Sequence, residues 1–478
     1  VIVELHEDFR PVRDLTGACG ALSFTHSVSG SLSASATFYF PIREWGGGPP
    51  VRPGSWLVIR DATTRKAHWW GYVRNVSSGR SVGGKTPHGV ATVPVQVSAD
   101  SFTALLTDAR MLLAPALKLS VPGAVYQFES WGPAMKAWMG AMKASDPGEL
   151  LATVFRELAK QSLPDSLGGE AIGDAVGVAW SRAHAPLALK GRWYDVPGVA
   201  MQAFGNVIPS GTIWSAIQGT FGADPTMVEL FPGVYDGKPT TRLGAALGVR
   251  ARLIYRMAPL HPSRGVSGPG AVASGLFQIP PSPGDFTPIL ADDVLNWSVS
   301  WSDSKRQNGW WAETYLQPKS QMGIYGLLGT PIIQSADARR HGLRLYDARW
   351  PFFPSSDGEA PKATIISAID ALIEYAAHVT QDGHLRGDGS LSLRPNPSLR
   401  PGVWATVDLG AGVPWTCYLT AVSHSAQVDE DSGLRVDTTR ADYTRGFFGT
   451  VEPATPVREP GAGGPADVDL DLSVLGVA

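Results

Sequence analysis

PGSWLVIRDATTRKAHWWGYVRNVSS, residues 53–78, is the stretch from which the fold is read. It opens on the turn pair Pro53-Gly54, runs into a Trp-rich and β-branched strand, turns through polar residues and returns in a second strand through Tyr72. A second stretch, PGVWATVDLGAGVPWTCYLTAVS at 401–423, repeats this grammar. Pro401-Gly402-Val403-Trp404 opens a strand, and Tyr418 stands 17 residues after the proline, against 19 for Tyr72 after Pro53. Each stretch leads into one more strand, VATVPVQVSAD in the first case and LRVDTTRADYTR in the second. Order, spacing and residue class agree, so a duplicated small β-barrel is expected; chance likeness between two Pro-Gly meanders is the competing reading.

The loop after the first stretch, GRSVGGKT at 79–86, fits the phosphate-loop pattern through Gly79, Gly84, Lys85 and Thr86. That motif needs a helix leaving the loop, so that backbone N–H groups and the helix N-terminus cradle a phosphate. Here Pro87-His88-Gly89 and the valines of VATVPVQV follow, which read as a second strand. The loop is therefore expected to be a hairpin tip, matched in the last block by the acidic loop QVDEDSG between YLTAVS and LRVDTT. Arg80 and Lys85 are then expected contacts to a neighbouring ring.

Length allows about three domains in the 478 residues. Charged residues make up 17%, below the roughly 25% of an average domain, and 54 Gly, 38 Pro and 16 Trp favour many turns and strands over long helices. A net charge of −3 supplies no basic face for tight nucleic-acid or membrane binding. The two cysteines, Cys19 and Cys417, have no ligand-like spacing, which argues against zinc and leaves two buried free thiols or a single disulfide. No 18-residue apolar run is present, and VIVELHEDFR lacks the features of a signal peptide, so neither a membrane-spanning segment nor signal-peptide export is expected.

Along the chain, residues 1–112 read as the first β-barrel domain and 113–285 as a mixed α/β middle domain. Within the latter, Met135, Trp138, Met139 and Met142 share a helical face, as do Leu150, Leu151, Val154, Phe155 and Leu158 beyond Asp146-Pro147. Residues 165–205 look irregular; TIWSAIQGTF reads as a short helix, MVELFPGVY and VRARLIYRM as extended, and 258–289 as a Pro/Gly/Ser-rich connection. Residues 286–448 form the second barrel, with a helical insertion around 322–383 whose clearest helix is KATIISAIDALIEYAAHV, 362–379. Residues 449–478 are an acidic, Pro/Gly-rich tail with no core-forming pattern. The fold class expected is α+β, mainly β: two similar small β-barrel domains, an α-containing middle domain and a helical insertion.

The C-terminal block, GHLRGDGSLSLRPNPSLRPGVWATVDLGAGVPWTCYLTAVSHSAQVDEDSGLRVDTTRADYTRG, resembles the last barrel of tailed-phage baseplate hub proteins of the late-control-D-like family. The residues that carry the likeness are Pro401-Gly402 before a strand, Tyr418 through Val422 to His424 in the next, and Arg445-Gly446 closing the last; Pro53, Gly54 and Tyr72 mark the same motif in the first barrel. The resemblance implies a structural hub in the tail of a phage or gene transfer agent, a homotrimer whose six barrels join a six-fold tail tube to a three-fold tip. It further implies a virion location after synthesis in the host cytoplasm. The implied partners are the tail-tube or distal-tail ring, a spike or fibre protein, the tape-measure protein, and DNA passing without specific binding.

Chemistry is not signalled. The ten histidines form no HExxH or helical pair, and no Gly-x-Ser-x-Gly elbow occurs, so no catalytic, metal or cofactor residues are expected. His424 reads as a half-buried, satisfied strand residue, and Arg386-Gly387-Asp388 with its neighbouring Asp-Gly pairs as turn chemistry rather than an adhesion site. Glu229, Glu313 and Glu374 offer carboxylates without a readable catalytic geometry. The alternative of a different class is a β-rich cell-wall or carbohydrate-active enzyme or binding module of a tail tip, for which Trp69, Trp70, Trp310 and Trp311 would be the sugar-stacking candidates; a core or subunit interface is the competing use of those rings.

Overall fold

The computed structural model describes residues 1–7, 10–28, 32–79, 92–108, 178–180, 212, 214, 215, 218, 226–235, 242–248, 250–261, 286–311, 313–316, 325–328, 331–347, 373–428 and 435–451. Arg80, Lys85, the two Met/Trp and Leu helical faces of 135–158, and the tail beyond 451 lie outside the described residues. Among the described residues, no helix is long and apolar enough to cross a membrane. The fold is mainly β within the α+β class.

The first set of strands is β1 (Ile2–Glu7), β2 (Arg10–Asp14), β3 (Cys19–Ser27), β4 (Ser33–Pro41), β5 (Trp56–Arg60), β6 (Ala67–Ser78) and β7 (Thr92–Asp100); side chains alternate into the core along β3, β4 and β7, whereas β5 is buried throughout and β2 is a polar edge strand. They pair in the order β3-β4-β7-β6-β5-β1-β2. The middle of the chain supplies a three-stranded sheet from β8 (Val178–Trp180), β9 (Val228–Tyr235) and β10 (Arg250–Met257). Strand β8 falls in the segment read from sequence as irregular, where three residues are too few to leave a periodic signal. Next come β11 (Thr287–Ile289) and β12 (Val294–Ser300). The stretch 322–383 holds a helix at Ser335–His341 and helical residues 373–380, together with short strands. With their neighbours these strands are β13 (Gly309–Trp311), β14 (Glu313–Leu316), β15 (Tyr325–Leu328), β16 (Ile332–Ile333) and β17 (Leu345–Asp347). The chain then returns through β18 (Gly387–Leu393), β19 (Trp404–Val407), β20 (Trp415–Val428) and β21 (Arg435–Phe448).

The second set pairs as β12-β18-β21-β20-β19-β11. Replacing β3, β4, β7, β6, β5 and β1 by β12, β18, β21, β20, β19 and β11 converts one order into the other. The match reaches single residues. Both β6 and β20 bulge two residues after the tyrosine: Val73 pairs with Ala99 and Asn75 with Ser98, as Leu419 pairs with Tyr443 and Ala421 with Asp442. A second bulge recurs between Cys19 and Ala21 of β3 and between Val294 and Asn296 of β12. The hydroxyl pair Ser23–Ser35 (2.8 Å) has its counterpart in Ser298–Ser390 (3.0 Å). One element departs: β1 runs antiparallel to β5, whereas β11 runs parallel to β19.

Equivalent core positions hold comparable side chains, Trp56 with Trp404, Trp69 with Trp415, Val73 with Leu419 and Val76 with Val422, all buried except the half-buried Val76. Where volumes differ they compensate, as close packing requires. Tyr443 stands where the first unit has Ala99, and its hydroxyl occupies the space over Gly389, where the first unit has Ala34. The Asp388-Gly389 pair, read from sequence as a hairpin turn, is therefore inside strand β18. Its glycine is required because a Cβ would meet the Ser298 carbonyl oxygen at 1.9 Å.

The two units form one continuous sheet, because β20 pairs antiparallel with β3 from Ala421–Ser27 to Gln427–Ala21. Residues 79–91 connect the antiparallel neighbours β6 and β7, with Ser78 opposite Val95, and the phosphate-loop pattern from Arg80 onward lies outside the described residues. Residues 258–261, expected to begin a loose connection, are instead packed: Ala258, Leu260 and His261 are buried. Trp404 Nε1 donates to the Leu260 carbonyl at 3.0 Å.

Candidate functional site

The seam between the units is built from two strand edges. On its outer, half-buried face Thr25 and Ser423 hydroxyls lie 2.9 Å apart; on its inner face Phe24, His26 and His424 pack together, with Phe24 and His424 ring centroids 4.8 Å apart. His424 is buried rather than half-buried, at 5% exposure, because β3 covers it; its Nδ1 is 3.2 Å from Thr439 Oγ1. His68 lies nearby, with Nδ1 2.9 Å from Arg400 Nη2 and Nε2 3.5 Å from Asp61. Burial, reinforced by the Arg400 charge, pushes His26 well below the ordinary imidazole range and His424 down to about 3. The imidazoles are thus neutral packing elements near neutral pH, and burial also lowers the Arg400 guanidinium to about 10.

A second joint ties the middle sheet to the C-terminal unit. Glu229 on β9, 4% exposed, accepts a hydrogen bond from Arg256 Nε on β10 at 2.7 Å and another from the Tyr418 hydroxyl. Arg256 Nη2 donates to the Gly402 carbonyl at 2.6 Å and lies 3.2 Å from the Tyr418 oxygen. Burial opposes the Arg256 charge, yet the neighbouring carboxylate raises its pKa; burial also raises that of the Tyr418 hydroxyl, so the tyrosine is a donor at any physiological pH. The Arg445 guanidinium covers Tyr418 and Trp404, 4.5 and 4.8 Å from their ring centroids, and donates to the Pro259 carbonyl. A cleft of about 470 Å³ opens beside this joint, lined in part by Lys305, Arg386, Asp388, Thr420 and Arg445.

Each residue of the sequence motif has a local reason. Gly54 and Gly402 both take positive φ (95° and 82°) after Pro53 and Pro401. Both donate to the bulged strand, at Val73 and Leu419. Tyr72 and Tyr418 lie edge-on or tilted against Trp56 and Trp404. Val422 is buried in the core, Arg445 takes φ +58° at the break in the β21 ladder, and a Cβ on Gly446 would strike the Trp415 ring at 2.3 Å. The motif residues therefore gather around the Pro-Gly turn and the first half of β20, while His424 belongs to the seam. Sequence reading missed the part of Glu229 and Arg256, which carry no marker beyond lying on adjacent strands.

Among the described residues, no group of three or more His, Cys, Asp or Glu side chains is placed to hold a metal ion. Cys19 and Cys417 are both free thiols; Cys417 is buried and Cys19 half-buried. Trp69, Trp70 and Trp310 are buried, which removes them as sugar-stacking platforms. Arg386 is buried as well, so Arg386-Gly387-Asp388 is not displayed as an adhesion tripeptide, and Asp388 pairs with Lys305.

No protein-family model and no curated protein matches this chain. Three solved structures similar to it can be named. They are tail proteins. The 43 kDa tail protein of prophage MuSo2 from Shewanella oneidensis is 10% identical, with 92% of this chain and 98% of that one covered at a TM-score of 0.44. The tail protein from Neisseria meningitidis is 10% identical, with 93% and 96% covered at 0.43. Prophage tail protein gp18 from Listeria monocytogenes is 8% identical, with 92% and 94% covered at 0.40.

Proposed function

We propose that this chain is a structural hub of a phage or phage-like tail tip, a homotrimer whose six similar units form a ring around the DNA channel and adapt a six-fold tail tube to a three-fold tip. The observation that carries the reading is the head-to-tail seam: one unit offers its β20 edge, the other its β3 edge, and the two edges are not equivalent. A joint of this heterologous kind propagates, and it closes into a ring when the rotation per unit divides a full turn. Three chains with two units each make a ring that has six similar subunits and only three-fold true symmetry. In this reading the middle sheet, fixed to the second unit by Glu229, Arg256 and Tyr418, breaks the six-fold likeness and marks the three-fold side.

The tail-tube or distal-tail ring, the spike or fibre and the tape-measure protein are the partners this placement calls for. The protein acts by assembly rather than catalysis, and DNA passes without specific binding. The test is the mass of the purified chain in solution together with averaged electron micrographs. Three times the chain mass and a ring of six similar densities are expected; a monomer with a sugar-filled groove and hydrolytic activity would instead establish the carbohydrate-active alternative.

A further inference from the structure

The equivalence of the two units carries a consequence for the strand edges that the chain leaves open. Strand β20 uses both edges along its length: β21 on one side, and β19 followed by β3 on the other. Its counterpart β6 has β7 on one side and, on the other, β5 as far as Tyr72 and then Gly54 and Ser55 against Val73, but among the described residues no strand covers the edge beyond, from Arg74 to Ser78. In the same way β3 lies between β4 and β20, whereas among the described residues its counterpart β12 pairs with β18 alone. Among the described residues each chain thus presents one open edge of each kind, and these are the counterparts of the two edges joined in its own seam. Exposed, unprotected edges are templates for strand addition.

Resting on the hub reading, we infer that the β6 edge of one chain pairs antiparallel with the β12 edge of a second copy, in the register that β20 and β3 adopt within the chain. Transferring that register places Asn75 opposite Ser302 of the other copy, Val76 opposite Trp301, Ser77 opposite Ser300 and Ser78 opposite Val299. Side-chain exposure supports it. Trp301 is 53% exposed, while its counterpart in the seam, His26, is 5% exposed beneath β20. A tryptophan left open at a position buried in the other unit is what a missing strand leaves behind. The Ser77–Ser300 pair repeats Ser423–Thr25, whose hydroxyls meet in the seam. Both serines are exposed, so substitution there leaves each monomer's core untouched.

The test combines Ser77→Cys and Ser300→Cys in the full chain, with oxidation by copper–phenanthroline, non-reducing electrophoresis and a parallel measurement of mass in solution. Single variants control for Cys19 and Cys417, and a Ser77→Cys, Ser298→Cys variant is two residues out of register. The pairing predicts reducible dimers and trimers in the double variant, and about tenfold less product out of register, since disulfide geometry tolerates little misplacement. A trimer by mass that does not cross-link overturns the pairing and leaves the hub reading standing. Cross-linked chains longer than three support the pairing and overturn the closed trimer. A chain that remains monomeric and uncross-linked overturns both.

Discussion

Thr25 Oγ1 and Ser423 Oγ stand 2.9 Å apart across the strand pair that fastens the first unit to the second, 398 positions apart in sequence. The contact itself is half-buried and modest in strength. What it marks is a backbone ladder with a buried aromatic layer of Phe24, His26 and His424 on its other face.

That layer makes the seam sensitive to acid. His424 is neutral when folded, held at about 3, and takes up a proton in the unfolded chain near its ordinary 6.5. Its contribution is fully present above pH 6.5 and is lost as pH falls below that value, at about 1.4 kcal/mol per pH unit. Lowering the pH to 5 should therefore remove about 2 kcal/mol through this group, and His26 acts in the same direction. Urea midpoints between pH 5 and 8 check this: His424→Gln should flatten the profile, and a wild-type midpoint that does not move would contradict the account.

Gly402 and Gly410 give a paired comparison. Both have positive φ, 82° and 73°, but a Cβ on Gly402 would meet Arg256 Nη2 at 2.3 Å, whereas nothing lies within 4 Å of one on Gly410. Gly410→Ala should cost about 1 kcal/mol from backbone conformation alone. Gly402→Ala should cost about 1–3 kcal/mol more, because it also displaces a half-buried guanidinium from its acceptors. Equal losses in chemical denaturation would show that Arg256 is not held at this position.

Removing one partner of the buried ion pair should be severe. Glu229→Gln leaves the half-buried Arg256 charge beside a neutral side chain, at about 3 kcal/mol, the lower end of the range for a fully buried pair. The double variant Glu229→Gln, Arg256→Met removes the orphaned charge and should recover a large part of that loss. Thermal unfolding of the three proteins decides the matter, and additive losses would rule out coupling between the two residues.

Trp301 should matter more for assembly than for folding. Trp301→Ser removes a ring that is half open to solvent and meets Trp415 edge-on, 6.4 Å between centroids, so the dissociated chain should lose no more than about 1.5 kcal/mol of stability. The concentration at which oligomers dissociate should rise about tenfold or more, as for other aromatic anchors at interfaces. Sedimentation velocity over a dilution series reads both states, and unchanged dissociation would remove Trp301 from the interface.

The duplication was legible because turn grammar is local. Pro53-Gly54 and Pro401-Gly402 demand a positive φ next to a proline, and Trp56 and Tyr72, like Trp404 and Tyr418, face each other across the strands the turns set up. Neighbouring residues encode such features, so spacing reveals them. The hairpin reading of GRSVGGKT rests on the same kind of information, the Pro87-His88-Gly89 break and the valines of VATVPVQV that follow it in sequence.

The seam was not legible, and neither was the burial of His424. Nothing in the residues of β3 distinguishes an edge that will meet β20 from one that will meet solvent; Ser23, Thr25 and Ser27 alternate with apolar residues and His26 in either case. The same limit applied to Asp388-Gly389, a favoured turn dipeptide that the closeness of Ser298 and Tyr443 holds inside a strand. Glu229 was one carboxylate among many until β10 and β20 brought Arg256 and Tyr418 to it. Sequence alone determined the two Pro-Gly turns and which residues of β3, β4 and β7 alternate into a core. Tertiary structure decided which strand edges meet and which charges are sealed between them, because those choices depend on surfaces that exist only once distant segments have packed.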